Sequence, residues 1–557
     1  MQFSKLTSAQ KLTLRARLEE LSAALSGNIT IATGCSGTDL VVYALQDILD
    51  DWADVFGFRC DVTELFACEN MPFKQLFLEK TVAPPIIFPD LSLLAAKTVV
   101  GCDGKDHLVQ SPFMWWCGVE CDSISHLNAK RAENFDCIEE GADKFGKRTR
   151  TGDAGHACMA FIEVHAPTVF VLECVKNLAA TGRSGKSNLD IIMRRANARG
   201  YLLICRALNC IDYGLPQSRD RFYMVGVRVS EGPVLQNDEN FVMPSWVAEF
   251  HRIVDCTRVS TIPLSRFLLE DDDEQPMAAN TAMECPAGES SRPPKKPRRT
   301  AVLDPEVEFE KAVAGNKVEE YKVEHLNAYY AHNLPWPPTY DVDFLMKTEA
   351  CTERQKQVLW LVEKTHGLAA SLSSIVVRDL HMSQEWATDR VECVPCIASS
   401  STLWARGPRK PLAPPGERAV IDRFLCGAEL LMLQGLSYER QPAEEFSNSD
   451  LTDLAGNAFN ASVIYPLLTA LFCTAPLIEA MSLSKGTPPE SAFERPALQL
   501  DEREVPDQDE EGDVGDEAVD DASAASEEGE TVDEEDVEAE GAEGHDIEFD
   551  ESGDDGK

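Results

Sequence analysis

One cysteine, Cys121, stands where a reactive side chain would be most useful. It follows an apolar run, Phe113 to Trp116, that predicts a buried strand, and polar residues come after it. Ligands of open α/β sheets bind at the carboxyl ends of the strands, so the Cys121 thiol is a candidate nucleophile at that edge. The alternative is a small buried hydrophobic residue, since the chain has 18 cysteines. Taken alone, Cys121 favours that second interpretation.

Three downstream segments favour the nucleophile instead. They are VFVLECVKNL at 169–178, YGLPQSRDRFYMVGV at 213–227 and LAGNAFNASV at 454–463. The first is an apolar strand that ends at an acid, Glu173. The second enters a strand with Gln217, Arg219 and Arg221 at alternating positions, which places the three side chains on one face. Together the three segments decide the interpretation in favour of a reactive thiol.

A glycine turn near the N-terminus predicts a nucleotide-binding unit. Residues 28–33 form a β-rich run that ends in Gly34-Cys35-Ser36-Gly37-Thr38-Asp39, and residues 40–49 have the pattern of a helix. Strand, glycine turn and helix in this order begin a nucleotide-binding α/β unit. The alternative is a tight connection that binds no ligand.

Acidic residues stand at the ends of the next two predicted strands. The run 63–68 ends at Glu69, and the run 86–88 ends at Pro89 and Asp90. A carboxylate at the end of the second strand suits the two hydroxyls of a ribose. For Glu69, a solvated carboxylate at the start of a loop is the equally weighted alternative. Two acids at successive strand ends favour the nucleotide.

The order of predicted elements gives the fold class and the domains. Strands and helices alternate throughout residues 28–230, which indicates an α/β fold with a mostly parallel sheet. A packing helix occupies residues 1–27, a second, smaller domain takes residues 231–420, and residues 421–480 return to the first domain. We expect disorder in an insertion at 271–300 and in an acidic tail at 481–557.

The charge of the chain limits how it can bind a polyanion. The net charge is −42, of which residues 501–557 carry −26 and residues 1–500 carry −16. A uniformly basic nucleic-acid binder is therefore excluded, and phosphate contacts must come from local patches. One such patch holds Lys144, Lys147, Arg148 and Arg150, for which a solvated face is the alternative.

The sequence also carries signals for compartment and metal content. Its first residues, MQFSKLTSAQ, lack the pattern of a signal peptide, and no apolar run approaches the roughly 18 residues of a membrane span. We expect an intracellular chain with reduced thiols. The heptamer PPKKPRR at 293–299 fits a nuclear import signal or a generic basic linker. Cys393 and Cys396 form a CxxC without a second pair, so ordinary burial is favoured over zinc, and no metal is predicted.

Eight motifs in this order resemble those of the DNA (cytosine-5) methyltransferase family, over residues 28–230 and 421–474. They are ATGCSGTD at 32–39, Glu69, Asp90, GVECDSIS at 118–125, ECV at 173–175, QSRDR at 217–221, GAELLMLQGLS at 427–437 and AGNAFN at 455–460. The family implies a Rossmann-like methyltransferase fold with S-adenosylmethionine as its cofactor. The residues that the resemblance assigns to the cofactor are Gly34, Cys35, Ser36, Gly37, Thr38, Glu69, Asn70, Asp90 and Asn457.

The resemblance also implies a mechanism. Cys121 adds to C6 of a cytosine and pushes electron density onto C5, while Glu173 protonates or hydrogen-bonds N3. Arg219 and Arg221, in the motif that contains Gln217, hold O2 and the carboxylate. A stacked base cannot reach such a pocket, so the cytosine must flip out or be single-stranded. Residues 231–420 occupy the place of the family's target-recognition domain, which implies DNA as the partner.

Two departures from the family pattern bear on the rate. Glu120 stands where the family has proline, so the loop is freer and a carboxylate next to Cys121 disfavours its thiolate. Cys174 stands where the family has asparagine. Two alternatives to DNA methylation therefore stay open: a cytosine-5 methyltransferase of RNA, and a nuclear chromatin scaffold that has lost turnover. Protein partners of the acidic tail are also expected.

Overall fold

A computed structural model describes most of the chain between residues 5 and 484. The described ranges are 5–57, 59–125, 150–182, 185–236, 240–269, 320–367, 372–382, 389–408 and 420–484. They all lie within one compact unit, residues 1–497. The insertion predicted at 271–300 lies outside the described residues, as do all but the first four residues of the segment 481–557.

A seven-stranded sheet forms the centre of the first domain, in the order β3-β2-β1-β6-β7-β9-β8. Its strands are β1 (Asn28–Gly34), β2 (Asp61–Cys68), β3 (Ile87–Phe88), β6 (Met114–Gly118), β7 (Val169–Cys174), β8 (Tyr201–Asn209) and β9 (Asp220–Arg228). The first five strands in the sheet are parallel, whereas β9 is antiparallel to both β7 and β8. A hairpin of β4 (Thr98–Val100) and β5 (Asp106–Leu108) precedes β6. The predicted α/β fold with a mostly parallel sheet is confirmed.

Helices cover both faces of this sheet. They are α1 (Ser8–Ala24), α2 (Leu40–Phe56), α3 (Pro72–Lys80), α4 (Arg150–His165), α5 (Asn188–Ala198) and α6 (Ser245–Cys256). Successive residues of β6 alternate between the faces. Met114 and Trp116 pack with α1, α2 and α6, whereas Trp115 and Cys117 pack with α4 and α5. The strands are therefore buried on both sides, which explains their nearly continuous apolar runs.

A smaller sheet with its own aromatic core follows. Its antiparallel strands β10 (Val376–Asp379), β11 (Arg390–Val391), β12 (Leu403–Pro408) and β13 (Val420–Phe424) have the order β11-β10-β12-β13. The helices beside it are α7 (Glu320–Ala331), α8 (Val342–Lys347) and α9 (Glu353–His366). Rings of Tyr329, Phe344, Trp360, Trp404 and Phe424 fill the space between helices and sheet. These aromatic residues, dispersed in the sequence, converge on one core.

Two elements lie differently from the expected domain division. Helix α6, within residues 231–420, packs on the large sheet, because its apolar face (Val247, Phe250, Ile253 and Val254) joins that core. Strand β13, of which all but the first residue falls in the segment 421–480, pairs instead with β12 in the smaller sheet. Both differences arise from long-range packing and strand pairing, which the local sequence pattern does not encode.

The chain returns to the large sheet through α10 (Gly427–Met432), α11 (Asn448–Asn457), α12 (Ala461–Thr474) and α13 (Leu477–Ser484). By length and apolar composition alone, the helical stretch Asn448–Thr474 could cross a membrane. Its most apolar window is 72% buried within the fold, and α12 packs against α2 and α6. This apolar stretch is thus a core helix of the domain.

Candidate active site

The glycine turn after β1 is held by the neighbouring strand. Ser36 N donates to Cys68 O at 3.1 Å, and Ser36 Oγ accepts from Cys68 N at 3.1 Å. Cys35, Gly37 and Asp39 all have positive φ angles of 50°, 56° and 51°. A Cβ on Gly34 would lie 2.7 Å from the Trp115 ring. Packing against Trp115 therefore requires glycine at position 34, whereas the left-handed conformation favours it at position 37.

Glu69 organises the same turn from the end of β2. Its Oε2 accepts from Gly37 N at 3.0 Å, and its Oε1 accepts from Asn70 N at 2.9 Å and Met71 N at 3.1 Å. The carboxylate is therefore a fixed partner of the glycine turn, in addition to any ligand it binds. Glu69 N donates to Phe88 O at 3.0 Å, which brings the end of β3 alongside.

A second carboxyl pair, which the sequence interpretation missed, lies beneath the turn. Burial raises the pKa of Asp39 to about 6, and burial together with Asp39 raises the pKa of Glu64 to about 11. Two carboxylates in such a site cannot both ionise, so Glu64 keeps its proton at neutral pH. Thr33 Oγ1 donates to Asp39 Oδ2 at 3.0 Å. The pair thus supports the backbone at the start of α2.

Two further residues assigned to the cofactor reach this edge of the sheet. Asp90 follows β3, and its Oδ1 accepts from Ser92 N at 2.8 Å. The backbone oxygen of Asn457 lies 4.0 Å from the position of a Cβ on Gly37, while its amide donates to Asp453. The hydroxyl of Thr38 is buried without a partner among the described residues. A glycine turn, two strand-end acids and an orphaned hydroxyl fit a nucleoside-bearing cofactor.

The loop that carries Cys121 starts at the end of β6. Gly118 pairs with Glu173 in the sheet, and Val119 N donates to Glu173 O at 2.9 Å. Cys121 O then accepts from Ile124 N at 3.1 Å and Ser125 N at 2.8 Å, which closes a helical turn. The ends of β6 and β7 are therefore level, and Cys121 lies beside Glu173.

Burial dominates the ionisation of Cys121. It raises the pKa of the thiol to about 11, with a further rise from the Glu173 and Asp122 carboxylates, against the opposing effect of Arg221 and Arg219. At neutral pH the thiol is protonated. We expected Glu120 to be the carboxylate that disfavours the thiolate, but in the structure Glu173 and Asp122 have that role. A nucleophilic role for Cys121 would therefore require loss of this proton.

Glu173 and Arg221 form the ionic centre of the site. Arg221 Nε lies 2.9 Å from Glu173 Oε1, and both side chains are mostly buried. That oxygen has no aligned hydrogen-bond donor among the described residues. Cys174 points away from this pair into the core between the sheet and α5, where burial raises its pKa well above the usual range. Its replacement of asparagine thus alters the core side of β7.

Arg219 and Gln217 do not face the ionic pair as Arg221 does. The guanidinium of Arg219 is 5% exposed and donates to Ile397 O, Gly456 O and Ala458 O at 2.9 to 3.1 Å. The sequence predicts that Arg219 helps to hold O2 of the cytosine or the Glu173 carboxylate. In the structure, its guanidinium donates instead to three backbone carbonyls. Gln217 is fully buried, and its Nε2 has no partner among the described residues. Both residues join β9 to the smaller domain.

The structure describes only one of the four residues that are predicted to contact phosphates. Lys144, Lys147 and Arg148 lie outside the described residues, and Arg150 is described only as the first residue of α4. The described residues contain no group of three or more side chains with the arrangement of a metal site.

The sequence interpretation missed Cys396, whose sulfur accepts from Arg221 Nη2 at 3.5 Å. Its thiol is separated from Arg221 by 175 residues in the sequence. The CxxC pattern offered no signal for this contact, because the contact depends on how the smaller domain docks.

A family model described as C-5 cytosine-specific DNA methylase matches residues 143–292, which include Glu173, Gln217, Arg219 and Arg221. DNA (cytosine-5-)-methyltransferase DMT5 of Cryptococcus neoformans is 21% identical over 496 residues, or 88% of this chain and 18% of the relative. The protein of the same name from Verticillium dahliae is 22% identical and covers 82% of this chain and 20% of its own length. The chain thus spans about a fifth of the length of these relatives.

A bacterial relative and a solved structure give shorter or weaker similarity. Type II methyltransferase M.HhaI of Haemophilus parahaemolyticus is 33% identical over 78 residues, 14% of this chain and 22% of the relative. The solved structure of the Entamoeba histolytica methyltransferase EhMeth has a TM-score of 0.39 at 9% identity, covering 80% of this chain and 98% of that one.

The family that the matches identify uses S-adenosylmethionine, and the glycine turn with Glu69 and Asp90 fits that cofactor. The resemblance inferred from the eight motifs is confirmed, and the chain is similar to DNA (cytosine-5) methyltransferases, from which its sequence diverges.

Proposed function

We propose that this protein methylates C5 of cytosine in DNA through a covalent bond between Cys121 and C6 of a flipped-out base. The observation that carries the proposal is the Glu173–Arg221 ion pair beside the Cys121 loop. A nucleophile, a proton carrier and a fixed cation at one strand edge are what addition to a pyrimidine ring requires. The two fungal relatives are DNA (cytosine-5-)-methyltransferases by name, which supports DNA as the substrate.

The residues of the chain have separate roles in the proposed reaction. Cys121 gives its proton to solvent, and its sulfur forms a bond to C6 as the C5–C6 double bond opens and its electron pair shifts onto C5. Glu173 donates a proton or hydrogen bond to N3, where negative charge develops, and Arg221 fixes the Glu173 side chain. S-Adenosylmethionine, held by the glycine turn with Glu69 and Asp90, supplies an electrophilic methyl group when bound. Transfer of the C5 proton to solvent then re-forms the C5–C6 double bond and breaks the S–C6 bond, and the released Cys121 thiolate regains a proton from solvent.

Protonation of Cys121 in the free chain would protect it until substrate arrives. A thiol with a pKa of about 11 is ionised at pH 7 in only about one molecule in 10⁴. Arg221 already favours the thiolate, and Glu173 opposes it.

Two alternative functions remain open for the same site, and the proposal includes a location in the nucleus. An RNA cytosine would fit the same chemistry, and a scaffold without turnover would keep the cofactor site. The basic heptamer at 293–299 supports residence in the nucleus. The retained pairing of Glu173 with Arg221 supports an enzyme over a scaffold, because a scaffold has no need for a buried ion pair beside a thiol.

The test is incubation of the full chain with methyl-labelled S-adenosylmethionine and separate pools of DNA and RNA. We expect 5-methylcytosine in DNA. Label in RNA alone would establish the first alternative, and cofactor binding without transfer to either pool would establish the scaffold.

Covalent trapping tests the role of Cys121 directly. DNA that contains 5-fluorocytosine should form a stable adduct, because fluorine blocks the final elimination. Cys121→Ser should abolish the adduct and leave cofactor binding intact, whereas Cys102→Ser, a change at an exposed thiol, should have no effect. An adduct that maps to Cys117 or Cys174 would show that the wrong cysteine was assigned.

A further inference from the structure

A short segment of the smaller domain is inserted into the candidate active site. Residues 394–399 lie between the strand entrance at 216–221 and the end of α11. Ser218 N donates to Val394 O at 2.9 Å, and Val394 N donates to Pro216 O at 2.7 Å. On the other side, a Cβ on Gly456 would lie 2.1 Å from Ser399 N. The segment is therefore held on both sides by the first domain.

This insertion places the sulfur of Cys396 against both arginines. Arg221 Nη2 donates to Cys396 Sγ at 3.5 Å, and Arg219 Nη1 lies 3.9 Å from the same sulfur. Arg221 Nε faces Glu173 at 2.9 Å. One guanidinium thus contacts a carboxylate along one edge and a sulfur along another, which fixes its plane.

The charges around Cys396 favour its ionised form. Arg221 and Arg219 lower the pKa of the Cys396 thiol below its usual value, although burial opposes them and the Glu173 carboxylate also raises it. Among described cysteines with a clear shift, Cys396 is the one whose pKa is lowered, and Cys393, three residues earlier, has a raised pKa because it is buried. The cysteine in contact with arginine is therefore the one whose thiolate is stabilised.

We propose that Cys396 is a positioning residue of the active site, whose sulfur anchors Arg221 so that Nε stays directed at Glu173. The anchor comes from the smaller domain, while Arg221 and Glu173 come from the large sheet. A movement of residues 394–399 would therefore change the direction of the Arg221 guanidinium. Docking of the smaller domain and the orientation of the ionic pair are coupled through this sulfur.

Alkylation of the full chain tests the contact without relying on the proposed function. Iodoacetamide forms an S–C bond with a thiolate as the C–I bond breaks and iodide leaves, so its rate follows ionisation. We expect Cys396 to have the lowest midpoint in a pH series mapped by mass spectrometry, below Cys393 and Cys121. Arg221→Met should raise that midpoint. A Cys396 midpoint at the ordinary thiol value, unchanged by Arg221→Met, would overturn the proposal.

Kinetics then test the positioning role, and this arm rests on the proposed methyl transfer. Cys396→Ala should lower kcat by up to about 100-fold, because a small misplacement in a catalytic pair is costly, with little change in KM for the cofactor. Cys396→Asp, which restores an anion, should recover part of the loss, and Cys393→Ser should behave as wild type. A wild-type kcat in Cys396→Ala would refute the positioning role. If wild type itself transfers no methyl group, the alkylation result still decides whether Arg221 anchors the sulfur.

Discussion

Glu69 holds the glycine turn in place and has a proposed second role in binding the cofactor. Its two carboxylate oxygens accept three backbone N–H groups, one from the glycine turn and two from its own loop. Bonds of this kind, with a charged acceptor, contribute about 1.5–3 kcal/mol each where they are buried. The same oxygens are the proposed partners of the ribose hydroxyls, so removing them affects both the shape of the turn and the ligand.

We therefore predict that Glu69→Ala weakens binding of S-adenosylhomocysteine by at least about tenfold, in line with the loss of one charged hydrogen bond. Calorimetry of the two proteins measures the change. Asp61→Ala, at the exposed opposite end of β2, is the matched control and should bind as wild type. Equal affinity in Glu69→Ala would remove Glu69 from the site.

At the scale of elements, Arg219 connects three parts of the chain. Its guanidinium donates to one carbonyl of the segment 394–399, to Gly456 O in the last turn of α11 and to Ala458 O just after that helix, and Arg219 itself directly precedes β9. These carbonyls are buried, so they would lose their partners if the arginine were removed. These bonds indicate that Arg219 stabilises the fold more than it contacts the base.

We predict that Arg219→Met lowers the free energy of unfolding by about 3 kcal/mol, because a buried charge-assisted network is lost. Denaturant unfolding, followed by fluorescence, measures the effect. Arg15→Met is the control, since Arg15 is exposed and its ion pair with Glu19 is worth less than about 1 kcal/mol. Unchanged stability of Arg219→Met with lost activity would instead support a direct role in binding the base.

At the scale of the whole molecule, charge is distributed very unequally along the chain. Residues 501–557 carry −26 of the total of −42, and every described residue lies before residue 485. Such a segment repels a polyanion, and this repulsion acts over the Debye length of about 30 Å at 0.01 M salt. The tail would therefore oppose nonspecific binding to nucleic acid.

We predict that deletion of residues 501–557 strengthens nonspecific DNA binding at low salt and leaves methyl transfer intact. The difference should shrink at 0.15 M salt, where the Debye length is about 8 Å. Fluorescence anisotropy of a labelled duplex across a salt series measures both effects. If full-length and shortened chains bind equally at low salt, the tail does not screen the protein from DNA.

The sequence alone determined the fold class and the motif residues, because these depend on local patterns. Apolar runs predicted β1, β2, β3, β6 and β7 to within a few residues, and Gly34, Glu69, Asp90, Cys121, Glu173 and Arg221 all lie at the carboxyl edge of the large sheet or in the loops that follow it. A parallel sheet places the carboxyl ends of its strands at one edge, so position along the strand is sufficient to bring the first five of these residues near one another. Arg221, at the start of its strand, reaches the same edge because β9 is antiparallel to β7.

Only the tertiary structure decided what each side chain at that edge contacts. Arg219 and Arg221 occupy equivalent alternating positions in the sequence. In the structure, however, Arg219 donates to backbone carbonyls and Arg221 pairs with Glu173. Cys396 reaches Arg221 from 175 residues away. Helix α6 and strand β13 likewise joined the sheet with which their apolar faces could pack. Long-range docking fixed these partners, and local periodicity contains no information about it.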